Sequence, residues 1–312
     1  MRCLVSGATG FIGEHLCRYL RDAGDEVLAL SGTHGRRAAE SSCQPLDLTR
    51  DMPSSELLRG NDCVYHLAGV AHRRADTQAY HALNYRATLE LAERTRQSGV
   101  PRFVFLSSVR AMGAAQDARP RVESDCALPK DDYGLSKWRA ECALRDEFAD
   151  SELSVIILRP TLVYGAGVRG NLFRLARAVR AGLPRPPERG RRSMLAVQDL
   201  VELMRLCGAE APKGIHTWIA SGSGDYSTRD LYDALRRGLH TGRSRLWLPA
   251  FSWYAGLTVV DALRGREDGL YYRMFGNERY SHAAVSSELG WQPRFSFDDC
   301  AEQIVAGLEQ SG

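Results

Sequence analysis

Residues 2–13 read RCLVSGATGFIG, an apolar run that passes directly into glycines at 7, 10 and 13 and then into a helical pattern. Gly7 suits a tight turn, Gly10 lets the main chain approach a diphosphate, and Gly13 lets the helix lie close on the strand. Helix-end N–H groups then face the negative charge, and Phe11 and Ile12 join the glycines as cofactor-binding positions. This spacing predicts a strand, turn and helix built to hold a dinucleotide.

The rest of the first half repeats the same alternation. Short apolar runs at 2–6, 26–30, 63–67, 103–107 and 155–159 predict strands, apolar throughout as in a sheet covered on both faces. Helical segments are expected near 12–23, 80–98 and 133–149. Such alternation predicts an α/β fold with a Rossmann-type, doubly wound parallel sheet. After Arg159 the rhythm changes: helices at 171–180 and 197–206, a stiff LPRPP connector at 183–187 and a strand at 216–220 lead into aromatic-rich loops and helical patches. The expected organisation is a dinucleotide-binding domain over 1–165, with a contribution from part of 190–225. A smaller, interleaved substrate-binding lobe occupies most of 166–312.

Composition narrows the chemistry. With 312 residues, 44% of them hydrophobic, the chain can bury a large core, which argues against disorder. No run approaches the roughly 18 uncharged apolar residues of a membrane span. The opening MRCLVSG lacks a secretory signal's apolar stretch, so no membrane insertion and a cytoplasmic location are expected. Eight scattered cysteines without a CxxC pair predict reduced, mostly buried thiols and no metal site. The net charge of +3 is modest, and the arginine clusters lack interleaved aromatics. They suit a small anionic ligand better than a nucleic acid.

The tail of the second strand should read the adenosine ribose. An NAD site usually places Asp or Glu there, whereas this chain reads SGTHGRR from Ser31 to Arg37. A carboxylate would repel a 2′-phosphate, and Ser31 with Arg36 or Arg37 could bind one. NADP(H) is therefore favoured slightly over NAD(H). Asp47 and Leu48 are expected to cradle the adenine edge, Asp47 accepting from its amine.

Lys137 lies four residues after Tyr133, which places both on one helical face. A phenol of pKa about 10 is a poor acid–base at neutral pH, but an adjacent ammonium and a nicotinamide cation favour its phenolate. It can then exchange a proton with a substrate oxygen while hydride moves at the carbon. Lys137 would also hold the nicotinamide ribose. The strand FVFLSS over 103–108 ends in a hydroxyl donor at the edge where such sheets bind ligands, and Ser108 is preferred to Ser107 by alternation.

With these residues in place, the chain resembles the extended short-chain dehydrogenase/reductases of the nucleotide-sugar epimerase/dehydratase family. The likeness runs through HLAG at 66–69, NYRATLEL at 84–91, YGLSK at 133–137, RPTLVYG at 159–165, RRSMLAV at 191–197 and ELGW at 288–291. The resemblance implies that Gly7, Gly10 and Gly13 hold the cofactor pyrophosphate and that Leu67, Ala68 and Gly69 line its path. It implies that Asn84 supports the helix near the active site and that Ser108, Tyr133 and Lys137 perform the catalysis. Pro160 is placed among the cofactor contacts. Asn171 and Arg192 match residues that contact and clamp the substrate diphosphate, a task that suits a guanidinium fork. Helices 84–98 and 133–149 resemble those of a dimeric four-helix interface, so a homodimer is expected.

Departures bear on the reaction. Met112-Gly113 stands in place of a Tyr-Gly pair, Pro160 and Thr161 in place of an aromatic pair common in UDP-galactose epimerases, and Ser281 where relatives often carry Asp. Val109-Arg110 follow Ser108 where a 4,6-dehydratase has Asp-Glu, so water elimination lacks its acid–base pair. The reading preferred from sequence is reduction of the C4 keto group of a UDP-4-keto-6-deoxy-N-acetylhexosamine in surface polysaccharide precursor synthesis. The alternative is a UDP-sugar 4-epimerase with tightly bound NAD. A non-catalytic cofactor-binding protein is the reading from another class.

Overall fold

The computed structural model describes residues 1–32, 43–70, 77–115, 119–240, 248–264 and 269–308. Its strands are β1 (Arg2–Ser6), β2 (Glu26–Ser31), β3 (Cys43–Pro45), β4 (Cys63–His66), β5 (Arg102–Leu106), β6 (Ser154–Pro160), β7 (Leu162–Tyr164), β8 (Arg192–Ala196), β9 (Ile215–Ala220) and β10 (Asp225–Tyr226). Seven form one sheet in the order β3-β2-β1-β4-β5-β6-β9, every neighbouring pair parallel. The order reverses between β1 and β4, the crevice where doubly wound sheets bind ligands. The strand expected at 216–220 is β9, which completes the sheet beside β6. A second sheet, β10-β8-β7, pairs β7 parallel and β10 antiparallel to β8.

The helices are α1 (Phe11–Asp22), α2 (Ser55–Leu58), α3 (Thr77–Tyr80), α4 (Ala87–Gln97), α5 (Asp132–Phe148), α6 (Asn171–Arg180), α7 (Val197–Glu210), α8 (Thr228–Gly238), α9 (Ala250–Arg264), α10 (Leu270–Phe275), α11 (Ala283–Leu289) and α12 (Phe297–Ala306). Those that cover the large sheet divide its core in two. On one face Leu16, Leu20, Leu200, Met204 and Trp218 pack with Val5 and Ile156. On the other, Leu91, Ala140, Leu144 and Phe148 pack with Leu4, Phe103 and Ile157. Coverage on both faces is why the strands read as unbroken apolar runs. A third cluster, including Leu172, Ala176, Tyr232, Leu235, Phe297 and Ile304, joins α6, α8 and α12 in the C-terminal lobe. Capping boxes at Ser227 with Asp230 and Ser296 with Asp299 open α8 and α12.

The helix expected over 80–98 departs from regularity. Between α3 and α4 the chain forms one π-helical turn, His81–Arg86. Its extra residue rotates Asn84 into the interior, and single π turns of this kind recur at functional sites. The connection back to the large sheet is pinned by Asp199 of α7, fully buried, which accepts from the Arg294 and Phe295 N–H groups at 3.0 Å each. No helix among the described residues is long and apolar enough to cross a membrane.

Candidate active site

The turn after β1 has the backbone its glycines permit. Gly7 has φ +73°, and a Cβ there would lie 2.6 Å from the Ala68 nitrogen, because the turn is pressed against the segment leaving β4. A Cβ on Gly13 would lie 2.2 Å from the Gly7 carbonyl oxygen. Gly10 is the N-cap of α1 and brings no side chain to its first N–H groups, those around Phe11 and Ile12. The result is a concave, electropositive main-chain cradle suited to a diphosphate. Leu67 and Ala68 follow its rim: the Leu67 N–H donates to the Ser6 carbonyl at 3.1 Å and the Ala68 N–H to the Ser6 hydroxyl at 3.4 Å.

Beneath that rim runs a buried polar chain that sequence reasoning missed. His66 Nδ1 lies 2.7 Å from the Ser6 hydroxyl and Nε2 2.9 Å from the Thr88 hydroxyl, and Thr88 donates to the Asn84 carbonyl at 3.0 Å. Because the Thr88 proton is committed, its oxygen accepts from His66 Nε2–H, and Nδ1 accepts from Ser6. The ring is therefore neutral. Burial, with the Lys137 ammonium adding to it, pushes the His66 pKa down to about 3. Asn84 continues the chain: its Oδ1 accepts from the Val70 N–H at 2.8 Å, and its Nδ2 donates to the Val70 carbonyl at 3.1 Å and to the Ser136 hydroxyl at 3.0 Å. A buried amide left unpaired would cost about 1–3 kcal/mol, so these bonds fix the π turn against α5. Gly69 lies on the same group, a Cβ there falling 3.0 Å from Asn84 Oδ1 and 3.5 Å from Lys137 Nζ.

Ser108, Tyr133 and Lys137 converge at the carboxyl edge of β5. Ser108 caps the short turn Val109–Met112, its hydroxyl accepting from the Arg110 N–H at 3.2 Å. The half-buried Tyr133 phenol lies close enough to this hydroxyl for Ser108 to act on its titration. Asp131 caps α5 through the Gly134 N–H at 3.0 Å, which sets Tyr133 in the first turn. Burial raises the phenol's pKa, while the Ser108 hydroxyl and the Arg110 guanidinium pull it down. One turn on, Lys137 Nζ donates to the Leu106 carbonyl at 2.8 Å and rests 4.5 Å from the Phe105 ring centre. Loss of water lowers Lys137 to about 7, and the carboxylate of Glu141 acts against that fall.

Glu141 is the second group absent from the sequence reading. It is fully buried and ion-paired to Arg159, itself 2% exposed, with 2.6 Å between Oε2 and Nη2. It also accepts from the Ser107 hydroxyl at 2.5 Å and from Arg145 at 3.1 Å. Ser107 is thus turned inward and Ser108 outward, as alternation along the strand requires. Two signals were available: Glu141 repeats the four-residue step from Lys137, and Arg159 is a lone charge in an apolar strand. The π turn that aims Asn84 leaves no such mark.

The other positions separate. Pro160 is the buried last residue of β6, and Ser31 is the last of β2, only 4% exposed. Arg36 and Arg37 lie outside the described residues. Asp47 accepts from the Thr49 N–H at 3.0 Å and the Thr49 hydroxyl at 2.7 Å, while Leu48 is buried in the core. Asn171 opens α6 and Arg192 opens β8 in the C-terminal lobe. Arg192 makes one long hydrogen bond, 3.5 Å to the Tyr272 carbonyl, and burial lowers its pKa. Among the described residues, no hydrogen bond joins Asn171 or Arg192 to Ser108, Tyr133 or Lys137.

Residues 3–219 match the model of the NAD dependent epimerase/dehydratase family. The chain belongs to this family. It is 30% identical over 318 residues to the UDP-glucose 4-epimerase of Vibrio cholerae, covering 99% of this chain and 95% of that one. Among solved structures it is similar to MoeE5 in complex with UDP-glucuronic acid and NAD, at 25% identity and a TM-score of 0.78 over 100% of both chains. The UDP-glucuronic acid 4-epimerase of Bacillus cereus in complex with NAD shares the fold, with 20% identity and a TM-score of 0.78 over 99% and 97% of the two chains. The protein is thus an NAD(P)-dependent enzyme of the nucleotide-sugar epimerase/dehydratase family. The cradle, whose shape depends on Gly7 and Gly13 leaving no Cβ between the turn, the helix and the segment after β4, fits the dinucleotide this membership implies.

Proposed function

We propose that the protein is a UDP-sugar 4-epimerase that keeps its NAD through the catalytic cycle. The observation that carries the reading is the Tyr133 phenol set beside the Ser108 hydroxyl, with the Lys137 ammonium one helical turn away at the edge that holds the glycine cradle. The end-to-end similarity to an epimerase supports 4-epimerisation over the 4-ketoreduction preferred from sequence. Once bound, the dinucleotide supplies the acceptor, and later the donor, of a hydride at C4. Tyr133 as phenolate takes the proton of the C4 hydroxyl, and Ser108 donates a hydrogen bond to the same oxygen. Tyr133 then returns the proton when hydride is restored to the opposite face of the sugar. Lys137 holds the phenolate form electrostatically and reaches the nicotinamide ribose. Main-chain N–H groups around Gly7, Gly10, Phe11, Ile12 and Gly13 take the pyrophosphate, and Leu67, Ala68, Gly69 and Pro160 line the cofactor's path. In the C-terminal lobe, Asn171 and Arg192 grip the substrate diphosphate. The outer faces of α4 and α5 join two copies as a dimer.

Reduction of a 4-keto sugar nucleotide with NADPH is the second reading. It is favoured by the end of β2, where Ser31-Gly32 offers no carboxylate to a ribose. Purified protein incubated with UDP-hexoses and UDP-N-acetylhexosamines, without added nicotinamide, decides between the two. Interconversion of C4 epimers by protein carrying stoichiometric NAD is expected. Turnover only with added NADPH on a 4-keto substrate would replace the epimerase reading with the reductase one.

A further inference from the structure

Three side chains at four-residue steps on α5 meet three consecutive residues at the end of β5. Tyr133 faces Ser108, Lys137 donates to the Leu106 carbonyl, and Glu141 accepts from the Ser107 hydroxyl. The first two rungs belong to the proposed chemistry. The third does not touch substrate or cofactor in that reading, and it is the most deeply buried of the three.

We propose that Glu141, clasped by Arg159, is a positioning residue for proton transfer at Tyr133: it locks the strand end that presents Ser108 and supplies the anion that keeps Lys137 charged. This inference rests on the epimerase reading for its kinetic part; its electrostatic part needs only the four-residue step that sets Glu141 and Lys137 on one face of α5.

A dry Glu–Arg pair is a poor device for stability, since apolar residues of similar volume are usually as good or better. Here one carboxylate receives the Arg159 Nε and Nη2 groups, the Arg145 guanidinium and the Ser107 hydroxyl, so all its strong acceptor directions are taken. Arg159 is held in turn by the Glu123 carbonyl at 3.0 Å, and Arg145 reaches the Thr217 hydroxyl of β9 at 3.2 Å. The carboxylate is therefore fixed from β5, β6 and, through Arg145, β9. A fixed anion acts on a neighbouring charge without reorganising during the reaction.

Lys137 needs such a partner. Its ammonium has exchanged water for one carbonyl and an aromatic face. Around it stand Asn84 from the π turn, neutral His66 from β4 and Glu141 on its own helix. Among the groups that act on it electrostatically, Glu141 favours the charged form. Removal of that carboxylate would take this influence away and leave the Arg159 and Arg145 guanidiniums without the anion they now share.

Glu141→Gln keeps the shape and removes the charge; Ser107→Ala keeps the charge and removes the strand rung. Heteronuclear NMR of the lysine Nζ follows Lys137 directly in the full-length protein with its bound dinucleotide. In Glu141→Gln the Lys137 midpoint is expected to fall by about one pH unit or more. The alkaline limb of kcat should move with it, kcat dropping about tenfold at pH 8 and recovering towards pH 6, with KM within about twofold of the parent. In Ser107→Ala, kcat is expected to fall about fivefold or more, while the Lys137 midpoint stays put. An unmoved Lys137 midpoint in folded Glu141→Gln overturns the proposal. Should that variant not fold, Ser107→Ala decides, and a parental kcat there overturns it. Failure of the epimerase reading looks different: the parent itself would not epimerise, yet the Lys137 shift in Glu141→Gln would still be measured.

Discussion

At the scale of single residues, Tyr133 is the group whose loss should be most specific. Tyr133→Phe keeps the ring and removes the transferable proton, so turnover is expected to fall about 10²–10⁴-fold with dinucleotide affinity within about twofold. Steady-state assays beside calorimetric titration check both halves, and retained turnover would remove Tyr133 from the chemistry. His66 gives a pH prediction. Its folded pKa of about 3 lies below the unfolded value of 6.5, so the unfolded chain binds the proton first on acidification. The stability that the neutral ring contributes is complete above about pH 6.5 and is lost as pH falls towards 3. Urea midpoints measured between pH 7 and 4 should fall, and His66→Gln should flatten that dependence. The Tyr–Lys pair and Ser108 were legible because a four-residue step and strand alternation are local rules. Asn84, Ser6 and Thr88 were not legible as a chain through His66, because their contacts span β1, β4 and a π turn that no local propensity marks. The ribose-reading residues remain at the level of sequence: Ser31 is buried at the end of β2, and the arginines that would complete the site follow it outside the described segment.

Among the elements, the junction of β1 and α1 carries the sharpest packing constraint. Gly13→Ala would place a Cβ 2.2 Å from the Gly7 carbonyl oxygen, so helix and turn must separate. Dinucleotide affinity is expected to fall about tenfold or more, equivalent to about 1.4 kcal/mol, with a lowered Tm. Calorimetry on protein stripped of nucleotide tests this, and unchanged affinity would mean that the cradle tolerates the displacement. The strand and helix pattern of the large sheet was readable because burial on both faces forces continuous apolar runs. The second sheet was not, since β7 and β10 are 3 and 2 residues long and β8 begins in a basic loop, so neither length nor periodicity announces them.

For the whole molecule, function requires the C-terminal lobe to bring a substrate to the edge of the large sheet. Arg192→Ala should weaken nucleotide-sugar binding about tenfold while leaving dinucleotide content unchanged, because a guanidinium facing a diphosphate contributes charge-assisted bonds. Equal substrate affinity in the two proteins would place the diphosphate elsewhere. Dimerisation belongs to the same scale. Leu135 and Tyr85 line a cleft between α5 and the π turn, on the side expected to meet a second copy. Leu135→Arg should shift the protein to monomers in sedimentation velocity, and a parental profile would move the interface off this face.

In the proposed reaction, hydride leaves C4 and returns to the same sugar at a site built from Ser108, Tyr133 and Lys137. UDP-hexoses and UDP-N-acetylhexosamines carrying deuterium at C4, incubated without added nicotinamide and analysed by NMR, test it most directly. The expected result is the C4 epimer with its deuterium retained at C4. An epimer that has lost its deuterium, or no epimer from any of these sugars while an unlabelled 4-keto sugar nucleotide is reduced only at the cost of added NADPH, would contradict it.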